Sequence, residues 1–85
     1  MILGKVKDTL YSTRKVETLV GNKFMIIQPI DPANKNEYVA VDNVGAGIGE
    51  IVMVATGSAA RIGCNLENCP VDAAIIGIVD AGQKF

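Results

Sequence analysis

Short apolar runs, each closed by glycine, proline or a polar cluster, pattern this chain from end to end. Ile2 to Thr13 alternates imperfectly, with Val6 set between Lys5 and Lys7. That spacing predicts a strand with one wet face. Ser12-Thr13-Arg14-Lys15 interrupts the apolar run, and Gly21-Asn22 marks a turn. Lys23 to Ile30 holds the continuous run Phe24-Met25-Ile26-Ile27 and closes at Pro29, which predicts a strand buried on both faces. Asp31 to Glu37 is polar turn chemistry and predicts an exposed loop. Tyr38 to Asp42 reads as a third strand and Glu50 to Thr56 as a fourth, with a glycine loop, Asn43 to Gly49, between them. Ile75 to Asp80 reads as a fifth. Gly77 lies inside it, where a glycine marks a bulge or a barrel corner.

Helical signals are few. Ser58 is a plausible N-cap for a turn over Ala59 to Ile62, ended by Gly63. Pro70 to Ala74 predicts one more turn, with proline at its first position. Asn65 to Asn68 reads as loop, and there is no internal repeat, low-complexity tract or linker. The fold class expected is therefore all-β: a single domain, 1–85, built as a five-stranded OB-like barrel with one or two short helical turns. Barrel closure removes the sticky strand edges that an aliphatic β protein must manage.

Composition adds a surplus. The chain has 85 residues and is 49% hydrophobic but only 5% aromatic, with mean hydropathy +0.32. A core this small cannot hide so much aliphatic surface, because small domains bury a limited fraction of their area. Part of that surface is expected to pack against other copies of the chain.

Charge excludes several partners. The net charge is -1 and the pI about 5.2, which leaves no basic footprint for nucleic acid. No apolar run approaches the length of a membrane span. Met1-Ile2-Leu3-Gly4-Lys5 carries no apolar h-region, so a cytosolic chain with reduced thiols is expected. Cys64 and Cys69 then read as ordinary cysteines. Two such ligands do not complete a tetrahedral zinc site, and the chain has no histidine.

Catalytic groups are missing too. Without histidine the usual proton shuttle is absent, and Ser12 and Ser58 have no neighbouring base in sequence. Asp42 and Glu50 flank the glycine loop. They either face each other as a carboxylate pair or, more simply, Asp42 ends a strand as an Asx turn accepting backbone N–H bonds and Glu50 begins the next strand. The loop itself, Gly45-Ala46-Gly47-Ile48-Gly49-Glu50, is not a phosphate cradle. A P-loop ends in Gly-Lys-Ser/Thr and a dinucleotide fold needs G-x-G-x-x-G. Here the third glycine comes one residue early, and a carboxylate follows where phosphate would sit. No enzyme activity, cofactor or metal is expected.

One resemblance spans nearly the whole chain. Its motifs run in order: Met1-Ile2-Leu3-Gly4-Lys5-Val6, Thr13-Arg14-Lys15, Leu19-Val20-Gly21, Gln28-Pro29-Ile30-Asp31, Val39-Ala40-Val41-Asp42, Val44 to Glu50, Gly57-Ser58-Ala59-Ala60-Arg61 and Pro70 to Asp80. Together they resemble the pentameric vertex proteins of bacterial microcompartments, found in carboxysomes and in ethanolamine- and propanediol-utilising shells. The resemblance implies an OB-like barrel and a homopentamer around a central pore. It also implies a cytoplasmic place at the vertices of an icosahedral shell tiled by hexameric proteins, with no catalysis and no cofactor.

On that footing Gly45, Ala46, Gly47, Ile48, Gly49 and Glu50 are candidates for a loop crowding the pore, since glycine lets backbones approach closely. The rival is a tight inter-strand turn away from the axis. Arg14, Lys15, Ser58 and Arg61 are candidate interface residues, arginine in particular because its planar fork binds carboxylates or carbonyls bidentately. The competing function is a small OB module binding a ligand or nucleic acid. It would be a monomer or dimer with salt-sensitive binding.

Overall fold

Residues 1–63 and 70–84 are described by the structure, a computed structural model. Cys64, Cys69 and the loop expected over Asn65 to Asn68 lie outside the described residues. Strands β1 (Ile2–Leu10), β2 (Lys23–Pro29), β3 (Tyr38–Asp42), β4 (Ile51–Thr56) and β5 (Ala73–Ile78) close into a barrel in the order β1-β2-β3-β5-β4. Closure comes through β1, which pairs with β2 on one side and with β4 on the other. All contacts are antiparallel except β3 with β5, which is parallel. The barrel is thus the five-stranded OB-like fold expected from the strand count.

The parallel contact has a topological consequence. β3 and β4 follow each other in sequence but are not neighbours, because β5 lies between them. The glycine loop therefore crosses one end of the barrel instead of closing a hairpin. Helix α1 (Ser58–Gly63) follows β4 at the opposite end.

Pleating sorts the side chains into two cores. Val6, Met25, Ile27, Ala40, Val52, Val54, Ala73 and Ile75 point inward, and Ala46 of the glycine loop plugs the same core. A second cluster lies outside the barrel wall. Val41 of β3 and Ala74 of β5 are covered there by Ala60 of α1 and by Val71, with Leu19 and Phe24 packed alongside. Burying each of the larger aliphatic side chains stabilises the fold by about 1.5–3 kcal/mol.

Four expectations need correction. The Phe24 to Ile27 run is not buried on both faces: Met25 and Ile27 are fully buried, while Phe24 and Ile26 are half-buried. In a barrel the inner face is sealed, and among the described residues the outer face is covered where α1, Val71 and the 3-10 turn reach. The helical turn expected over Pro70 to Ala74 is absent. Ala73 and Ala74 open β5 instead, paired with Thr56 and Ala55 of β4. Ala74 fits between the barrel wall and α1 while Ala73 points into the barrel core, so tertiary packing overrides alanine's helix propensity. Ser58 is the first helical residue and not the N-cap; Gly57 precedes it at φ 64, and the Gly57 carbonyl accepts the Ala60 N–H. Finally, a short 3-10 turn, Glu17–Leu19, forms where no helix was expected, without a side-chain cap to announce it. Strand ends also differ by a few residues, with β1 stopping at Leu10 and β4 starting at Ile51.

The expected irregularity at Gly77 is present. Met53 pairs with Gly77 and Val54 with Ile75, so Ile76 is the extra residue of a bulge. A Cβ on Gly77 would collide with the Met53 methyl group, so the missing side chain is replaced by a neighbour's. A second bulge at Lys7 interrupts the β1–β2 register.

Candidate functional site

The glycine loop is held at both ends by carboxylates. Asp42 closes β3 with its side chain fully buried. Its Oδ1 accepts the N–H groups of Val44 and Gly45 at 3.0 and 3.1 Å, and its Oδ2 accepts that of Ala46 at 2.9 Å. Lys23 Nζ stands 3.9 Å from the same carboxylate and balances its charge. Glu50 Oε1 accepts the Gly47 N–H at 2.6 Å. For Asp42 the simpler reading is the observed one, whereas Glu50 stands just before β4 and its carboxylate serves the loop backbone, a role the sequence reading did not give it.

The loop's far end is stitched to β1. Gly49 donates its N–H to the Val6 carbonyl at 2.8 Å, and Val6 donates to the Glu50 carbonyl at 3.0 Å. Gly45 and Gly49 take φ 84 and 90, a left-handed backbone that glycine adopts without steric cost. The result is a fixed cap across one barrel mouth. Ala46 points into the core and Ile48 points out, 65% exposed. The loop is not a hairpin turn, because it joins strands that do not touch.

The other candidates are dispersed. Gly57, Ser58 and Ala59 lie exposed at the opposite mouth. Arg61 is half-buried and donates Nη1–H to the Val71 carbonyl at 3.0 Å, bracing α1 against the segment before β5. Arg14 is exposed. Lys15 is half-buried and donates from Nζ to the Ser12 carbonyl at 2.6 Å. Sequence order thus placed these residues in one group, while the fold separates them onto two ends and one flank.

Apolar side chains left open to solvent are the feature that sequence reading did not locate. An open groove of about 280 Å³ runs along the outer wall at β3, walled by Leu10, Leu19, Phe24, Val39, Val41 and Val71, with Lys15 at its rim. Leu3 and Met53, paired across β1 and β4, form a second exposed apolar site, each 37% exposed. The signal was present as strand parity. Val39 and Val41 share a face of β3, and Val41 is the one that α1 covers.

Among the described residues, no group of three or more His, Cys, Asp or Glu could hold a metal ion. No helix among them is long and apolar enough to cross a membrane. Tyr38 is the notable titratable group. Its hydroxyl is buried without a hydrogen-bond partner among the described residues, and desolvation raises its pKa above the ordinary value.

The fold is a closed five-stranded barrel whose 43–50 loop is pinned by carboxylates across one mouth. Comparison with known proteins specifies the family. The family pattern described as "Ethanolamine utilisation protein EutN/carboxysome" matches residues 1–80, and the chain belongs to this family. It is 46% identical over 83 residues to the carboxysome shell vertex protein CcmL of Gloeobacter violaceus, covering 94% of this chain and 83% of that one. It is 44% identical over 83 residues to the microcompartment shell vertex protein GrpN of Rhodospirillum rubrum, covering 94% and 93%. The solved structure of Gloeobacter violaceus CcmL superposes with a TM-score of 0.88 at 42% identity, covering 99% of this chain and 90% of that chain. The Rhodospirillum rubrum GrpN structure, titled a pentameric microcompartment shell protein, superposes with a TM-score of 0.82 at 41% identity, covering 100% and 99%. These relatives are structural shell proteins, in agreement with the expectation that the chain is no enzyme. The ligand- or nucleic-acid-binding alternative is not favoured.

Proposed function

We propose that this chain forms a homopentamer that caps the vertices of a microcompartment shell in the cytoplasm, with hexameric shell proteins as its neighbours. The observation that carries this reading is the whole-length likeness to the pentameric Rhodospirillum rubrum protein. The exposed aliphatic side chains support it, since a ring gives them somewhere to pack. The test is the native mass of the purified protein. A species of about 45 kDa, five times the 9.0 kDa chain, is expected; a monomer at micromolar concentration overturns the reading. Mixing the ring with a hexameric shell protein and imaging the product by electron microscopy tests the vertex role. Closed polyhedra that require this chain are expected, and identical shells without it would refute the role.

Within the ring, Gly45 to Glu50 is our candidate for the axis. Its support is a glycine-rich backbone held by Asp42 and Glu50. A Cβ at Gly47 would meet the Glu50 side chain alone, its Oε1 at 3.2 Å, and needs that flexible carboxylate to move by a few tenths of an ångström. Gly47→Leu is expected to weaken the ring while leaving the barrel folded. An undisturbed ring moves the axis to the other mouth, where Gly57, Ser58 and Ala59 are exposed.

A further inference from the structure

We infer that the barrel carries a built-in opening: β3 parts from β5, the glycine loop lifts with it, and Asp42 is the latch that couples the two.

Pairing is the first ground. Among the described residues, β3 and β5 are joined at two residue pairs, Val41 with Ala74 and Asp42 with Ile75. Each of the other four contacts between strands is joined at four pairs or more. The β3–β5 contact is also the parallel one, and parallel pairing is slightly less stable per residue. Local opening starts where the fewest backbone bonds hold. Parting this contact leaves a continuous sheet in the order β3-β2-β1-β4-β5, with every neighbour antiparallel. Parting any other contact breaks more pairs and keeps the parallel one.

Attachment is the second ground. β5 is tied to β4 beyond both ends of their ladder. The Gly57 N–H donates to the Asp72 carbonyl and the Val79 N–H to the Ile51 carbonyl, both at 2.8 Å. β3 is tied to β2 at five residue pairs, and Lys23 of β2 stands 3.9 Å from the Asp42 carboxylate. The two strands of the seam are thus each held more firmly to their outer neighbours than to each other.

The position of Asp42 is the third ground. Its backbone forms the last pair of the seam, and its carboxylate accepts the N–H groups of Val44, Gly45 and Ala46. Ala46 is locked in the inner core, and the far end of the loop is stitched to β1 through Gly49 and Val6. The end of β3 is therefore held down by the loop through one side chain. Movement of β3 away from β5 pulls Ala46 out of the core, and release of Ala46 frees the end of β3. Gly49, at φ 90, supplies a hinge where the loop meets β1. On the outer wall Ala60 and Val71 cover Val41 and Ala74, so the closed state is the resting one. Opening unplugs one barrel mouth and lets solvent reach the inner core there.

The experiment is native-state hydrogen exchange on the full chain in its native assembly, read residue by residue at fixed protomer concentration over a series of low urea concentrations. The amides that bridge β3 and β5 and those of Val44 to Ala46 are expected to share one opening that low urea leaves unchanged, as a small local opening does. The β1–β2 amides are expected to exchange more slowly and to accelerate with urea, as global unfolding does. Asp42→Asn weakens the latch from one side and Ala46→Gly removes the plug from the other. Each is expected to speed the seam and loop amides together by about tenfold or more, well beyond any change at β1–β2. Ile27→Val, a small truncation of the inner core, is the control; it should speed the β1–β2 amides and leave the seam as it was. Faster loop amides beside an unchanged seam overturn the coupling. Seam amides that follow β1–β2 in their dependence on urea overturn the opening itself, and the parent protein alone shows this if a variant fails to fold.

Discussion

Replacing Asp42 by alanine removes the acceptor of three backbone N–H groups at once. A hydrogen bond to a charged group stabilises by about 1.5–3 kcal/mol, and a buried donor left unpaired costs a similar amount. The three donors are not equivalent. Ala46 is 2% exposed and its N–H cannot reach water, so its bond is expected to count nearly in full, about 2 kcal/mol. Val44 and Gly45 are exposed, and their N–H groups rehydrate, which leaves about 0.5 kcal/mol each. Asp42→Ala should therefore destabilise by about 3 kcal/mol, equivalent to a Tm decrease of roughly 12–24 °C for a domain of this size. The assay is urea unfolding followed by circular dichroism at fixed protomer concentration, because association stabilises by mass action. Asp42→Asn retains one acceptor oxygen for Val44 and Gly45 but turns an amide donor toward the Ala46 N–H. It should fall between parent and alanine. A cost below about 1 kcal/mol for Asp42→Ala would show that the loop does not depend on its carboxylate cap, and would refute the reasoning.

Gly4→Ala and Gly77→Ala should separate cleanly in the same urea assay. A Cβ at Gly4 strikes Ile27 inside the sealed core, with the Tyr38 hydroxyl 3.2 Å and the Gln28 carbonyl 3.4 Å away, so a loss of about 1–3 kcal/mol is expected. At Gly77 the obstacle is the movable tip of exposed Met53, and the loss should be smaller; equal costs would contradict this account. Tyr38→Phe should leave stability unchanged or slightly raised at neutral pH, since it removes a buried hydroxyl that has no partner among the described residues. The folded-state pKa of Tyr38 is raised above 10.0 by desolvation, so below that pH both states hold the proton. Above it the unfolded chain ionises first, and stability falls as pH rises toward the folded pKa; Tyr38→Phe should lose less stability than the parent in melts above pH 10.0. Arg61→Ala removes the 3.0 Å bond to the Val71 carbonyl and should cost about 1 kcal/mol. It should also lower the ring mass seen by light scattering on dilution, and an unaltered ring would remove Arg61 from the interface candidates.

Local pattern alone determined the class of this protein. Alternation around Val6, the β-branched runs and the glycine and proline punctuation depend on neighbours within a few residues, and they specify five strands. Asp42 as a loop cap was legible for the same reason, because all three of its donors lie within four residues. The lack of histidine and the net charge of -1 set the expectation against catalysis and nucleic-acid binding before any coordinates. Tertiary structure decided what depends on contacts distant in sequence. Ala73 and Ala74 are strand because Thr56, Ala55 and Val41 lie beside them, not because alanine prefers it. Phe24 is half-buried because α1 and the 3-10 turn cover only part of the outer wall. The glycine loop spans the barrel mouth because β5 enters between β3 and β4, a strand order no run of residues encodes locally. The surplus of aliphatic residues was countable in advance. Its division into a groove on β3 and a ridge on β1 and β4 required the barrel to close, since only closure sets those strands on different sides.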